Sequence, residues 1–505
     1  MGSDHQQTYE KLCAAVQEAA MLSRIQQLLE WDEHTKMPKA GGDYRADQTA
    51  YLAGLAHQKQ TASKIGDWLA QLEDSPLVAD PHTDAGANLG NLRRDYDKKT
   101  KLPQELVEEL ARACAVGQQV WVESRAASDF QQFQPNLTEI IRLKREEAAA
   151  LGYDATPYDP LLDDYEPGES TANVARVLSE LRDALVPLVQ AIAESTQRPD
   201  ESILSRSFPI DVQESFGTHV AHQIGFDFDA GRLDETAHPF CTGLGPGDVR
   251  ITTRYDEHAF SDALFGIMHE AGHGLYDQGL PRAHYGLPIG EDVSLGIHES
   301  QSRMWENQVG RSLAFWEYFY PQAQAAFPAA LGAVEISEFY GAINGVRPSL
   351  IRVEADEVTY NLHILIRFEL EQALIEDQLQ VGDLPGAWNE KYEHYLGIKP
   401  PNDADGVLQD VHWSAGLFGY FPTYALGNLY AAQFFRQARQ EITDLDEQFR
   451  AGEFSSLLAW LRKNIHNHGR RYSPTELVER ITGSPLQHQP LIEHLSQKYG
   501  QIYGL

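Results

Sequence analysis

Amphipathic segments with a helical period run through most of the chain, and only one segment has a clear strand pattern, which restricts the fold to a mostly α architecture. In residues 8–31, Leu12, Val16, Ala19, Ala20, Ile25, Leu28 and Leu29 fall near one face when wound at 3.6 residues per turn. Residues 103–127 open on Pro103 and carry acidic residues in the first turn, as a helix start does. Residues 170–196 and 357–379 repeat the apolar period. The run VRITTRY, residues 249–255, is β-branched and alternating and predicts a strand. Turn-rich breaks fall at 73–88, 153–170 and 196–209, but none is long or repetitive enough to be a flexible linker. Length alone, at 505 residues, favours two or more domains. The lack of a linker, an internal repeat or a low-complexity tract predicts instead one large helical unit over 1–505, with a small β element just before residue 265.

Composition removes several classes of function. The charge balance is 41 − 74 = −33, and the acidic residues are spread along the chain as a solvated surface. Such a surface repels phosphate backbones and anionic lipid, so neither nucleic acid nor membrane is an expected partner. No run of 18 or more uncharged apolar residues suggests a spanning helix, and the first 20 residues do not read as a secretory signal. Three cysteines, Cys13, Cys114 and Cys241, are far apart and form no C-x-x-C pair. That pattern predicts a reducing, cytoplasmic setting and argues against thiolate metal ligation.

The chemistry concentrates in FGIMHEAGHGLYDQG, residues 265–279, where His269, Glu270 and His273 spell H-E-x-x-H. On a helix, His269 and His273 at i and i+4 project from one face and can grip one ion. Glu270, rotated by about 100°, can reach a water on that ion without ligating it. Ala263, Leu264, Ile267, Met268, Ala271 and Leu275 supply the apolar side of this helix, with Ser261 as its expected N-cap. Gly272 and Gly274 each weaken a helix by roughly 1 kcal/mol, so their presence predicts a chain segment or a substrate packed closely against them. Catalytic zinc keeps three protein ligands and an open position, and His₂Glu is one accepted set. Glu299 lies 299 − 273 = 26 positions after the second histidine, on a segment with Ile297, Met304 and Val309 apolar. A second helix crossing the first would bring it to the ion. The competing readings are that Glu299 is a surface carboxylate paired with Arg303 at i+4, and that His298 is the ligand instead.

With these residues in view the chain resembles the carboxypeptidase Taq family of metallocarboxypeptidases. The family's landmarks appear in order: HPF at 238–240, DVRIT at 248–252, HEAGH at 269–273, HESQ at 298–301, IRVEAD at 351–356 and GVLQDVHW at 406–413. LLEWDEHTKMP at 28–38 and GLFGYFPTYALGNLYAAQ at 416–433 also look like the family. The resemblance implies a helical fold with a deep central groove, similar to angiotensin-converting enzyme and neurolysin, built as one catalytic domain of two helical lobes. It implies a homodimer. It implies His269, His273 and Glu299 as ligands of one zinc ion per chain, with cobalt or manganese able to substitute, and Glu270 as the catalytic carboxylate. It also implies removal of single C-terminal amino acids from peptides, with broad tolerance of side chains.

The remaining motifs each allow two readings. Arg352 could neutralise Glu354 or Asp356, or its guanidinium fork could recognise the free carboxylate that an exopeptidase must find. His412 and Trp413 could be core residues under a loop, or His412 could donate a hydrogen bond to substrate or oxyanion. Tyr420 and Tyr424 are further oxyanion candidates. Asp248, Arg250 and Asp356 read as supports that orient ligands and loops. HPF is expected to position a loop beside the small sheet. An oligopeptidase or dipeptidyl carboxypeptidase with the same zinc chemistry, or a non-catalytic peptide-binding scaffold, are the alternatives; Glu270 argues against the scaffold.

Overall fold

The computed structural model describes residues 2–505, and helices make up most of it. The chain divides into two compact units, each assembled from three separate stretches: residues 1–99, 200–343 and 434–483 form the first, and 100–199, 344–433 and 484–505 the second. The mostly helical class expected from the sequence is what the structure has; where the two units divide was not readable from the residues, because neither unit is continuous in the chain. No helix among the described residues is long and apolar enough to cross a membrane.

In the first unit, the opening helix Gly2–Thr35 buries Leu12 and Ala19, and Leu12 packs against Ile65, Leu69, Leu72 and Leu89. Ile25 and Leu28, expected on the same apolar face, are exposed. At about 100° per residue they sit on the far side of the helix from Leu12, so the expected set was wider than one face. The unit also holds three short strands, β1 (Gly231–Glu235), β2 (Cys241–Gly245) and β3 (Asp248–Thr253), in the order β1-β3-β2. β1 runs parallel and β2 antiparallel to β3, with a register irregularity between Gly243 and Gly245. Only β3 carries the local strand pattern. GRLDE and CTGLG lack it, and pairing to β3 supplies what local propensity does not. HPF leads directly into β2, tied down where Phe240 exchanges hydrogen bonds with Thr252.

Behind β3 lies the helix Phe260–Gly279, whose Ala263, Leu264, Ile267, Met268, Ala271 and Leu275 are all buried as expected. It starts one residue before Ser261, with Ala259 at the N-cap and no side-chain cap. Packing of the buried Phe260 ring against Phe208 and Phe327 fixes this first turn instead. The next helix, Leu295–Arg303, is capped by Ser294 through the Ile297 N–H and passes into a π-helical stretch, Met304–Gly310.

The second unit is organised around the helix Tyr360–Ile375, which is buried almost all round. Its apolar residues, Leu362, Ile364, Leu365, Ile366, Phe368 and Leu370, make it a core helix. Yet His363, Arg367 and Glu371, spaced by four, form a fully buried polar stripe along it.

Candidate active site

His269 and His273 sit one turn apart on the helix Phe260–Gly279, and Glu299 reaches them from the helix Leu295–Arg303. The two helices meet closely because Gly272 has no side chain: a Cβ there would lie 2.6 Å from Ser302 Cα and 2.7 Å from the Gln301 carbonyl oxygen. Gly274 gives the same kind of room to Phe226 and Ile251. At both glycines the close neighbour is therefore a chain segment. Glu299 Oε2 stands 3.4 Å from His273 Nε2 and 3.6 Å from His269 Nε2, and one ligand atom from each of the three residues lies within 4.8 Å of the others. Two ligands about 2.1 Å from a zinc ion at a tetrahedral angle are separated by about 3.4 Å, so this donor set fits such an ion.

Glu299 and Arg303 also form the i,i+4 pair considered as the bland alternative, with Arg303 Nε 2.7 Å from Glu299 Oε1. The two readings are compatible, since one carboxylate oxygen faces the guanidinium and the other the imidazoles. His298 does not join the three. Its Nε2 lies 3.0 Å from Asp277 Oδ1, and its ring stacks on His273 at 4.4 Å and 15°. The π-helical stretch contributes Glu306, which the sequence reading missed; its Oε2 is 2.9 Å from His269 Nδ1. That contact favours a proton on Nδ1, so that in the neutral ring Nε2, facing Glu299, is the nitrogen without one.

Burial sets the electrostatics. It pushes the Glu270 carboxyl up to about 7, opposed by His269 and reinforced by Glu299; a dication nearby would push the other way. Glu270 is buried yet makes no hydrogen bond to another described residue. Burial, then His298, pushes His273 down to about 4, which keeps the imidazole neutral as a ligand must be. Burial opposes ionisation of Glu299, but Arg303 and then His269 outweigh it and hold the carboxyl far below its ordinary range. The same contest brings Glu306 down to about 2.

The comparisons with known proteins agree with this geometry. The carboxypeptidase Taq (M32) metallopeptidase profile matches residues 11–499. The chain belongs to the carboxypeptidase Taq family. Thermostable carboxypeptidase 1 of Thermus thermophilus is 48% identical, over 98% of this chain and 99% of the relative. Carboxypeptidase 1 of Bacillus subtilis is 39% identical over 99% of both chains. The M32 carboxypeptidase from Deinococcus radiodurans superposes with a TM-score of 0.96 at 41% identity, over 99% of this chain and 100% of that one. As a carboxypeptidase Taq family member, the chain is a metallocarboxypeptidase, a hydrolase that acts on peptides.

The other family motifs meet in the second unit. Arg352 is buried and pairs with neither Glu354 nor Asp356. The short 3-10 turn Arg352–Glu354 sends it inward while Glu354 stays exposed, and Asp356 is occupied by Thr359, Val358 and Arg347. Asp356 thus ties its own loop to the start of the helix Tyr360–Ile375. Nε and Nη2 of Arg352 each lie 2.9 Å from Asp410 Oδ1, and Nη1 donates to the Tyr360 hydroxyl. Arg367 contributes a second guanidinium, with Nε 2.7 Å from Asp410 Oδ2 and Nη2 2.7 Å from Gln409 Oε1. The fork that the sequence offered to a substrate is therefore partly engaged by Asp410.

Beside Arg352 lie the rings of Phe421 and Tyr424, and the His412 ring lies tilted against Tyr420 and Phe421 and edge-on to Tyr424. His412 Nδ1 is buried without a hydrogen-bond partner, and burial pushes the imidazole down to about 4. Tyr420 and Tyr424 hydroxyls are 3.4 Å apart. Trp413 is a core residue whose Nε1 donates to Glu371, which also accepts from Tyr158 and the Gly419 backbone. Asp248 and Arg250, in the first unit, hold each other at 2.9 Å, and Arg250 lies over Trp31 at 4.2 Å. They pin the sheet to the opening helix.

Proposed function

We propose that His269, His273 and Glu299 hold one divalent metal per chain, zinc by default with cobalt or manganese able to replace it, and that Glu270 is the catalytic carboxylate. The observation that carries this is the match between the Nε2–Oε2 separations of 3.4 and 3.6 Å and the spacing of ligands around one small ion. When bound, such an ion supplies Lewis acidity, polarising a carbonyl and acidifying a water. Glu270 takes the proton of the attacking water and passes it to the leaving amine nitrogen as the last peptide bond breaks. Its burial and its freedom from hydrogen bonds suit a group that must gain and lose a proton. Glu306 keeps His269 in the tautomer that ligation requires.

Selection of a free C-terminus is assigned to Arg352 on chemical grounds. Two guanidiniums share one carboxylate, Asp410, so the cluster carries one positive charge in excess. Of the five N–H groups on Arg352, three nitrogens engage Asp410 and Tyr360 with one each, and two N–H remain for an incoming carboxylate. His412, Tyr420 and Tyr424 are the assigned donors to substrate or oxyanion, and Asp248, Arg250 and Asp356 the supports. Residues 1–505 are assigned to one catalytic domain. Unpaired Cys13, Cys114 and Cys241 support a cytoplasmic setting, and the family resemblance supports a homodimer.

Glu270→Gln tests the core of this reading. It keeps the shape and the metal donors and removes the base, so turnover falls by at least roughly 10²–10⁴-fold with metal content unchanged. Near-normal turnover in the metal-replete variant would sink the assignment.

A further inference from the structure

We infer that Arg303 is a positioning residue that ties two of the three metal-binding side chains into one frame. This rests on the proposed metal site. Arg303 Nε donates to Glu299 Oε1 at 2.7 Å, and its Nη1 donates to Glu306 Oε2 at 3.2 Å. The same Glu306 oxygen lies 2.9 Å from His269 Nδ1. One planar guanidinium thus links Glu299 to His269 through Glu306. All four side chains are largely buried, between 8% and 19% exposed, so water competes little with these contacts.

The contact with Glu299 has a consequence for the metal. A carboxylate can offer one oxygen or two. Arg303 occupies Oε1, and Oε2 alone faces both imidazoles, with Ser302 Oγ 3.2 Å behind it. Held this way, Glu299 would offer a metal one oxygen and not two, which would leave room for the open position that a catalytic site needs and a closed structural site lacks. A lysine is a poorer substitute, because its three N–H donors rotate on a flexible stem and do not reproduce the planar fork that spans the two carboxylates. Arg303 itself is assigned no contact with substrate or the reacting atoms. Its effect is on where the ligands stand.

The test is Arg303→Lys and Arg303→Gln in the full-length protein, read by metal affinity and by the visible absorption of the cobalt-loaded enzyme. Both variants are expected to bind zinc roughly 10–100-fold more weakly, the usual effect of removing a support behind a ligand. The cobalt bands should lose intensity as Glu299 turns both oxygens to the ion and the coordination number rises. Lysine, which preserves the charge, should restore thermal stability without restoring the spectrum; that separates positioning from mere charge balance. If folded Arg303→Lys and Arg303→Gln keep wild-type zinc affinity and an unchanged cobalt spectrum, the inference is overturned. Glu299→Ala is the control on the underlying site: if it too leaves zinc affinity unchanged, the metal site itself is wrong, whereas a loss there with no effect at Arg303 rejects this inference alone.

Discussion

Around His269 and His273, three carboxylates, Glu270, Glu299 and Glu306, face two guanidiniums, Arg303 and, at 3.8 Å from Glu306, Arg311. Around Asp410 the balance is inverted, with Arg352 and Arg367 sharing one carboxylate. Both clusters are buried, so neither excess is screened away by water. With Glu270 ionised, the first has one carboxylate more than it has guanidiniums and suits a cation; the second has one guanidinium more than it has carboxylates and suits an anion. Burying an uncompensated charge costs several kcal/mol, so under the proposed function each imbalance is where a bound group of opposite charge would fit. On that proposal the first cluster would take the metal and the second the substrate carboxylate, the two things a metallocarboxypeptidase must hold.

The sharpest way to break the contrast is to remove a ligand. His269→Ala or Glu299→Ala is expected to cost metal and at least 10²-fold in turnover together, with no change in how residual activity discriminates between peptide acids and amides. Metal analysis beside steady-state kinetics reads both. If Glu299→Ala kept full metal content and rate, the third ligand would lie elsewhere and His298 would be the first residue to examine.

Chelation sharpens the contrast from the other side. Metal removal should abolish hydrolysis reversibly while the far-ultraviolet circular dichroism stays helical, because a chain with this much apolar burial does not rely on one ion to fold. A loss of helicity on chelation would make the first cluster a structural metal site.

The smallest expected effect belongs to Glu371, which accepts a hydrogen bond from Trp413 in the second unit. Burial pushes its carboxyl up to about 7 from an ordinary 4.5, against hydrogen bonds from Tyr158, Trp413 and Gly419. The fold therefore binds a proton that the unfolded chain has released between these two pH values. Its contribution to stability is fully present below pH 4.5 and is lost as the pH rises through about 7, by at most about 3 kcal/mol. Glu371→Gln, which cannot ionise, should flatten that part of the stability–pH curve. Chemical denaturation at pH 5 and pH 8 checks it, and equal pH dependence in both proteins would reject a protonated Glu371.

Much of the first cluster was legible because its residues are close in sequence. His269, Glu270 and His273 follow from helical spacing, and Gly272 announced the close approach that brings Glu299 in. Glu306 was not legible: it reaches His269 from a π-helical stretch whose winding has no simple sequence pattern. The second cluster was legible as motifs but not as contacts. Arg352 was read beside Glu354 and Asp356, its sequence neighbours, whereas its partner Asp410 lies 58 positions on. Arg367 and Glu371 were hidden in a helix that reads as apolar. Their spacing of four with His363 was a signal, since three polar groups on one side of a core helix must satisfy one another or a neighbour. β1 and β2 could not be read locally because partner strands, not their own residues, define them.

The most direct test of the division between the two clusters is kcat/KM for one peptide as its free acid and as its C-terminal amide, in wild type and in Arg352→Ala. Wild type should favour the acid by about 10- to 150-fold, the scale of one charge-assisted contact shielded from water. Arg352→Ala should lose most of that preference through slower hydrolysis of the acid, with metal content unchanged, and Arg352→Lys should recover only part. If Arg352→Ala discriminates as strongly as wild type, or if its metal content falls instead, the assignment of end recognition to the arginine cluster is contradicted.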